Sequence, residues 1–243
     1  SMAACMAASV TACGGSKPAE TTAAATEAET TAAESAAEES SAEETKAAAD
    51  IETVTPGKLT VATSPDFAPY EFYAIGEDGT PKLAGFDMDL AQYIADYLGL
   101  ELEVVTVDFD GVISELQTKS VDLGMAGLSP DEKRMGIMDF SDLYYMGGQS
   151  LVTVKDNAEK YNSFEAINKP DVSVGAQVGS IQMDLANENS PEADIVGLPK
   201  VTDIISELLT GKMDAAYIET DVAKSYQKNY PELTLVMDVP YDA

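Results

Sequence analysis

Residues 113–122 read Ile-Ser-Glu-Leu-Gln-Thr-Lys-Ser-Val-Asp, and residues 205–214 read Ile-Ser-Glu-Leu-Leu-Thr-Gly-Lys-Met-Asp. Six of the ten positions are identical at an offset of 92. Each copy reads as a helix, a tight turn and the start of a buried strand, which predicts one such unit in each of two halves of like topology. Turns of this kind recur wherever helices meet strands, so the repeat alone leaves that plainer account open. Extending the copies by five residues runs from Asp122 to Gly127 and from Asp214 to Glu219. Open parallel sheets bind ligands beyond the carboxyl ends of their strands, so Gly127 and Glu219 are expected at matching strand ends beside a cleft.

Working outward, Lys58–Ser64 is a β-prone run. In Gly85–Gly99 the apolar residues Phe86, Leu90, Tyr93, Ile94, Tyr97 and Leu98 recur at helical spacing, with Gly99 as the stop. Leu102–Val107 reads as a strand, Asp110–Ser120 as a helix with Val112, Ile113 and Leu116 inward, and Val121–Leu128 as a strand. Strand alternating with helix predicts right-handed crossovers and a parallel sheet. The theme restarts with strands at Val172–Ala176, Ala193–Val196, Met213–Ile218 and Leu233–Val236. Helices are expected at Ser180–Ala186, Val201–Thr210 and Asp221–Asn229. The fold expected is α/β in two lobes, each a mostly parallel sheet flanked by helices.

The 243 residues carry 14 Lys and Arg against 43 Asp and Glu, a formal net charge of −29. So acidic a chain repels phosphate backbones and is not expected to bind nucleic acid. It contains no His, which removes the commonest general base and the commonest metal ligand. Both cysteines, Cys5 and Cys13, lie at the N-terminus, so the other 230 residues hold no disulfide, thiolate metal site or thiol nucleophile. No metal and no cofactor are expected.

Residues 1–12 are small and apolar without charge, too short to span a bilayer, and read as the remnant of a signal peptide lacking its usual basic start. Val10-Thr11-Ala12-Cys13 resembles a bacterial lipobox, in which the Cys receives lipid; an Ala-rich tail with an incidental thiol is the plainer alternative. Residues 14–50 carry nine acids and two lysines, and no Ile, Leu, Val or aromatic residue. Such a stretch cannot bury enough apolar surface to offset its ordering entropy. Residues 13–52 therefore read as a lipidated Cys followed by a disordered acidic tether, with a reach of roughly 35 Å.

Several motifs then occur in order: Ser64-Pro65-Asp66-Phe67-Ala68-Pro69-Tyr70-Glu71, Gly85-Phe86-Asp87-Met88-Asp89-Leu90-Ala91, Asp108-Phe109-Asp110-Gly111 and Leu128-Ser129-Pro130-Asp131-Glu132-Lys133-Arg134. Asp139-Phe140-Ser141-Asp142, Tyr144-Tyr145, Val174-Gly175, Gly179-Ser180 and Asp221-Val222-Ala223 follow. From about Lys58 onward this series resembles the extracytoplasmic solute-binding proteins of polar amino-acid ABC transporters, family 3 type. The resemblance implies two lobes, 53–147 and 148–243, closing on a free amino acid, with polar and basic ones the candidates, and delivering it to permease subunits. It also implies an extracytoplasmic protein whose only membrane attachment is the lipid on Cys13. Relatives return to the first lobe after the last strand of the second, whereas this sequence stops at Pro240-Tyr241-Asp242-Ala243. The first lobe is therefore expected to lack part of its cover, and residues 51–243 to fold less stably than a completed chain.

A buried zwitterion must have both charges paired and hydrogen-bonded. By resemblance Arg134, the only Arg in the chain, holds the ligand carboxylate, a task for which a guanidinium fork suits better than an ammonium. An ion pair with Asp131 or Glu132 is its plainer role. Ser129 offers its N–H and hydroxyl, and Gly179 with Ser180 offers N–H groups at a helix start, where Ser180 is equally a helix cap. Glu219 and the Gly127 carbonyl receive the ammonium group, unless Glu219 is only a solvated strand terminus. Phe67 and Phe109 form aromatic walls or belong to the core. Ser64, Tyr70, Glu71, Asp110, Gln177 and Gln182 shape the side-chain pocket, with Glu71 or Asp110 suited to a cationic ligand. The hinge is expected at Met146-Gly147-Gly148. Two other classes compete: a dehydratase of small acids on the same scaffold, using Glu219, Glu71 or Asp110 as proton shuttle, and a ligand-sensing domain.

Overall fold

The computed structural model describes residues 51–241; the expectations for Cys13, the signal remnant and all but the last two residues of the acidic tether fall outside them. At the centre of the first lobe lies β1 (Lys58–Thr63), buried from Leu59 to Thr63 as a strand covered on both faces must be. It pairs in parallel with β5 (Glu101–Thr106) on one side and β6 (Leu123–Gly124) on the other. Leu59 and Val61 meet Met88, Ala91 and Ala95 of α1 (Phe86–Leu98), while Ala62 meets Phe109 and Val112 of α2 (Phe109–Gln117). Alternate residues of one strand thus seat a helix on each face.

Between β1 and α1 the chain forms a small antiparallel sheet that alternation did not suggest: β2 (Asp66–Phe67), β3 (Glu71–Ile75) and β4 (Pro81–Ala84). The short α3 (Glu132–Met135) follows β6, and residues 136–148 cross to the second lobe without regular structure. There β7 (Gln149–Val154), α4 (Phe164–Ile167), β8 (Ser173–Gln177), α5 (Ile181–Asn189), β9 (Asp194–Leu198), α6 (Val201–Thr210), β10 (Ala215–Glu219), α7 (Thr220–Asn229) and β11 (Leu233–Val239) follow in order. The strand order is β11-β7-β10-β8-β9, with β8, β9 and β10 parallel.

Three expectations need correction. The second sheet is mixed, because β7 runs antiparallel to β10 and β11. Only Leu123–Gly124 of the expected strand Val121–Leu128 joins the ladder, since Gly127 turns the chain with φ +57°. The buried residues of α1 are Asp87, Met88, Ala91 and Ala95, and of the expected apolar residues Leu90 and Ile94 pack beside them, whereas Phe86, Tyr93 and Tyr97 are exposed. A helix tight against a sheet uses small residues at the closest approach, so the aromatic spacing marked the wrong face.

The repeat has a structural meaning. Asp122 accepts the Thr60 N–H of β1 at 2.8 Å and returns its own N–H to the Thr60 carbonyl. Asp214 does the same to Ser173 of β8, accepting its N–H at 3.0 Å. Each carboxylate thus fixes the register of the strand it enters against the one beside it. The second oxygens serve Val54 N–H and the Tyr161 hydroxyl. Asp122→Ala and Asp214→Ala are each expected to lower unfolding free energy by about 1–3 kcal/mol in urea titrations, with Asn costing less; an unchanged midpoint for both would contradict this role.

Candidate functional site

The guanidinium of Arg134 lies in the seam between the lobes, 6% exposed. α3 delivers it: Asp131 caps that turn by accepting the Arg134 N–H at 2.8 Å, and its other oxygen lies 3.2 Å from Nε. Nη1 donates to the Ser129 carbonyl at 2.8 Å in the first lobe. Nη2 donates to the Gly179 carbonyl at 3.0 Å in the second. The Phe109 ring lies beneath, 5.7 Å from the guanidinium carbon, a cation–π distance. Burial lowers the Arg134 pKa and Asp131 opposes that shift. The ion pair with Asp131 is therefore real, and the same side chain also bridges the lobes. Beyond these three atoms' contacts, the remaining guanidinium N–H groups have no protein acceptor among the described residues.

Gly179 and Ser180 belong to the turn between β8 and α5. Ser180 caps α5, its Oγ accepting the Met183 N–H and donating to the Gln177 carbonyl. Gly179 has φ +76°, and a Cβ there would stand 3.2 Å from Asp110 of the first lobe, so the two surfaces meet closely. Asp110 is exposed at the start of α2.

Glu219 forms a second pole. It ends β10 buried, so it is no solvated terminus. Its Oε2 accepts the Val222 N–H at 2.8 Å, capping α7, and its Oε1 accepts the hydroxyl of Tyr70, a first-lobe residue, at 3.2 Å. Burial pushes the Glu219 carboxyl up, against the pull of the helix N–H. Phe67 stacks on Tyr70 with centroids 5.6 Å apart and packs among Val201, Ile204 and Ile218 of the second lobe. Gly127 lies in the turn after β6, not at the strand end expected, and a Cβ there would stand 2.9 Å from the Phe67 ring; with φ +57° the position calls for glycine. Phe67, Gln177, Gln182, Val201, Ile204, Tyr217, Ile218 and Glu219 line a partly open cavity of about 10 Å³, the size of one water. Admitting any guest larger than a water requires the lobes to part.

The candidate residues therefore gather around two poles, Arg134 with Ser129, Phe109 and Gly179, and Glu219 with Phe67 and Gly127. Ser64 is buried just after β1, its hydroxyl 3.4 Å from Asp66. Glu71 is not a pocket group. It is fully buried and neither carboxyl oxygen has a donor. Burial, then the adjacent Asp87 carboxylate, raises its pKa well above the usual range. Asp87, also buried, accepts the Gly127 N–H at 3.0 Å and the Tyr144 hydroxyl at 3.0 Å. A proton held on Glu71 removes the repulsion that two adjacent buried charges would suffer. Asp87 reached the sequence reading only as part of a motif, because an acid on the inward face of a helix has no separate signal there.

The comparisons bear on this arrangement. Residues 59–233 match the bacterial extracellular solute-binding proteins, family 3. The chain belongs to this family. The arginine-binding extracellular protein ArtP of Bacillus subtilis is 35% identical over 178 residues, covering 72% of this chain and 66% of that protein. Cyclohexadienyl dehydratase of Pseudomonas aeruginosa is 29% identical over 180 residues, covering 74% and 66%. A solved amino acid ABC transporter substrate-binding protein, AbpA from Streptococcus pneumoniae bound to L-arginine, is 37% identical with a TM-score of 0.71, covering 74% of this chain and 75% of that one. The family 3 chain spans 66% of the length of these two curated relatives. No helix among the described residues is long and apolar enough to cross a membrane.

The folded chain holds the Glu71 proton to higher pH than the unfolded chain does. Its contribution is full below the ordinary Glu range and is lost as pH rises towards the raised value. Glu71→Gln is expected to gain melting temperature relative to the parent as pH rises above the ordinary Glu range; melting temperatures that stay parallel from there upward would contradict a protonated Glu71.

Proposed function

We propose that this chain captures a free amino acid between its lobes and presents it to the permease of an ABC transporter. The observation that carries the reading is Arg134: a lone buried guanidinium, bonded to a carbonyl of each lobe, with N–H groups that no acceptor among the described residues takes. A carboxylate is a stronger acceptor than the neutral carbonyls it would replace. The ligand carboxylate goes to Arg134 with Ser129, Gly179 and Ser180 around it, and the ammonium group goes to Glu219 and the Gly127 carbonyl. Phe67 covers the aliphatic part. An arriving ammonium offsets the burial that raises the Glu219 pKa, so the ligand supplies the charge this carboxyl lacks.

A cationic side chain suits the site, because the protein is strongly acidic, Gln177 and Gln182 line the cavity, and AbpA is bound to L-arginine. The lobes are taken as 53–147 and 148–243, moving about Met146-Gly147-Gly148. The ligand drives closure by its greater affinity for the closed form. A lipid on Cys13 would hold the protein outside the membrane; labelled fatty acid recovered on the parent and absent from Cys13→Ser checks that attachment. We propose no turnover: Glu219, the buried carboxyl a dehydratase would use, is engaged by the α7 N-terminus and Tyr70.

Calorimetry against the twenty amino acids tests the reading. Binding of L-arginine or L-lysine is expected, and Arg134→Ala is expected to weaken it by at least 100-fold, about 2.7 kcal/mol, with Arg134→Lys recovering little of it. Near-parental affinity in Arg134→Ala would refute the clamp.

A further inference from the structure

Helix α6 lacks a cap of its own. It follows Pro199-Lys200, and Lys200, at the capping position, makes no side-chain bond to the first turn. The opening N–H groups of a helix need acceptors, and Ser, Thr, Asp or Asn usually supplies one. Here the acceptor comes from the other lobe. Asp66, 135 residues earlier in β2, accepts the Val201 N–H on Oδ2 at 2.5 Å. The Asp66 carbonyl accepts the Tyr226 hydroxyl of α7 at 2.7 Å. Phe67, the next residue, is seated among Val201, Ile204 and Ile218. A carboxylate at a helix N-terminus also meets the positive end of the helix dipole.

We propose that Asp66 is a positioning residue for closure, capping α6 of the second lobe across the seam, so that this helix is complete only when the lobes are together. The proposal rests on the reading that the lobes part to admit the ligand. Burial raises the Asp66 pKa, and the helix N–H groups pull it back, as expected for a charge whose solvation is replaced by a helix end. Asp66 acts through the helix and not on the ligand. Its loss therefore leaves association to the open form unchanged and shortens the life of the closed one.

The test is a double-mutant cycle on the full chain with L-arginine, read by stopped-flow association and dissociation. Asp66→Ala removes the acceptor. Val201→Pro removes the donor, at the one helical position where proline is well tolerated; the extended backbone of Lys200 (φ −125°, ψ 138°) suits a following proline. Each single variant is expected to speed dissociation about tenfold, the scale of a lost cap, with association within twofold of the parent. The double variant is expected to be no faster than either single one. Asp66→Asn, which keeps an acceptor oxygen, is expected to recover part of the loss. Dissociation within twofold of the parent in Asp66→Ala, or effects that simply add in the double variant, would overturn the proposal. If the parent binds none of the twenty amino acids, the functional reading fails by itself. The same cycle in urea unfolding of the ligand-free chain then decides the latch, with non-additivity expected and additivity overturning it.

Discussion

One buried guanidinium organises the seam of this molecule. Arg134 is taken out of water, so its charge must be answered by protein or by a guest. Asp131 on its own turn answers the charge, and the carbonyls of Ser129 and Gly179 take two of its donors. The Gly179 contact makes the arginine a property of both lobes. Around it the first lobe brings Phe109 at the start of α2, and the second brings the turn between β8 and α5. The second pole repeats the logic with opposite sign: Glu219 answers to its own helix through Val222 and to the first lobe through Tyr70. Both poles therefore rest on neutral cross-lobe partners that a zwitterion would improve upon.

Behind the poles lies a layer that holds them in place. Asp87 grips the Gly127 N–H and the Tyr144 hydroxyl, tying the turn after β6 to the segment that crosses between the lobes. Glu71 sits against Asp87 with no donor of its own. The N-terminus of α1 reaches this place because Gly85 adopts φ +127° where a Cβ would collide with the Tyr70 carbonyl. The motif Gly85-Phe86-Asp87 is thus a steric and electrostatic requirement, with glycine for the approach and the acid for the bond.

Much of this was legible in the sequence, for identifiable reasons. Helix α6 matched its expected bounds, Val201–Thr210, because a strong apolar face and Gly211 mark it. The Asp122 and Asp214 repeat was visible because the same backbone problem, entry into a parallel strand, is solved twice with the same residue. Strand β7 was missed because an antiparallel crossing strand next to a loop carries no alternation signal of its own. The outward Tyr93 and Tyr97 misled because apolar spacing does not distinguish large residues from the small ones that permit close packing. Asp66 stands in the Ser64–Glu71 motif, where nothing beside it signals a role. The signal lay elsewhere in the chain, in a helix that begins after Pro199-Lys200 with no capping residue.

The most direct test of the account is a crystal structure of the chain grown with L-arginine. The account predicts the ligand carboxylate within hydrogen-bond distance of the Arg134 terminal nitrogens, its ammonium group beside Glu219, and the Gly179 carbonyl no longer held by Nη2. A ligand bound elsewhere, with Arg134 still bonded to Ser129 and Gly179, would contradict it.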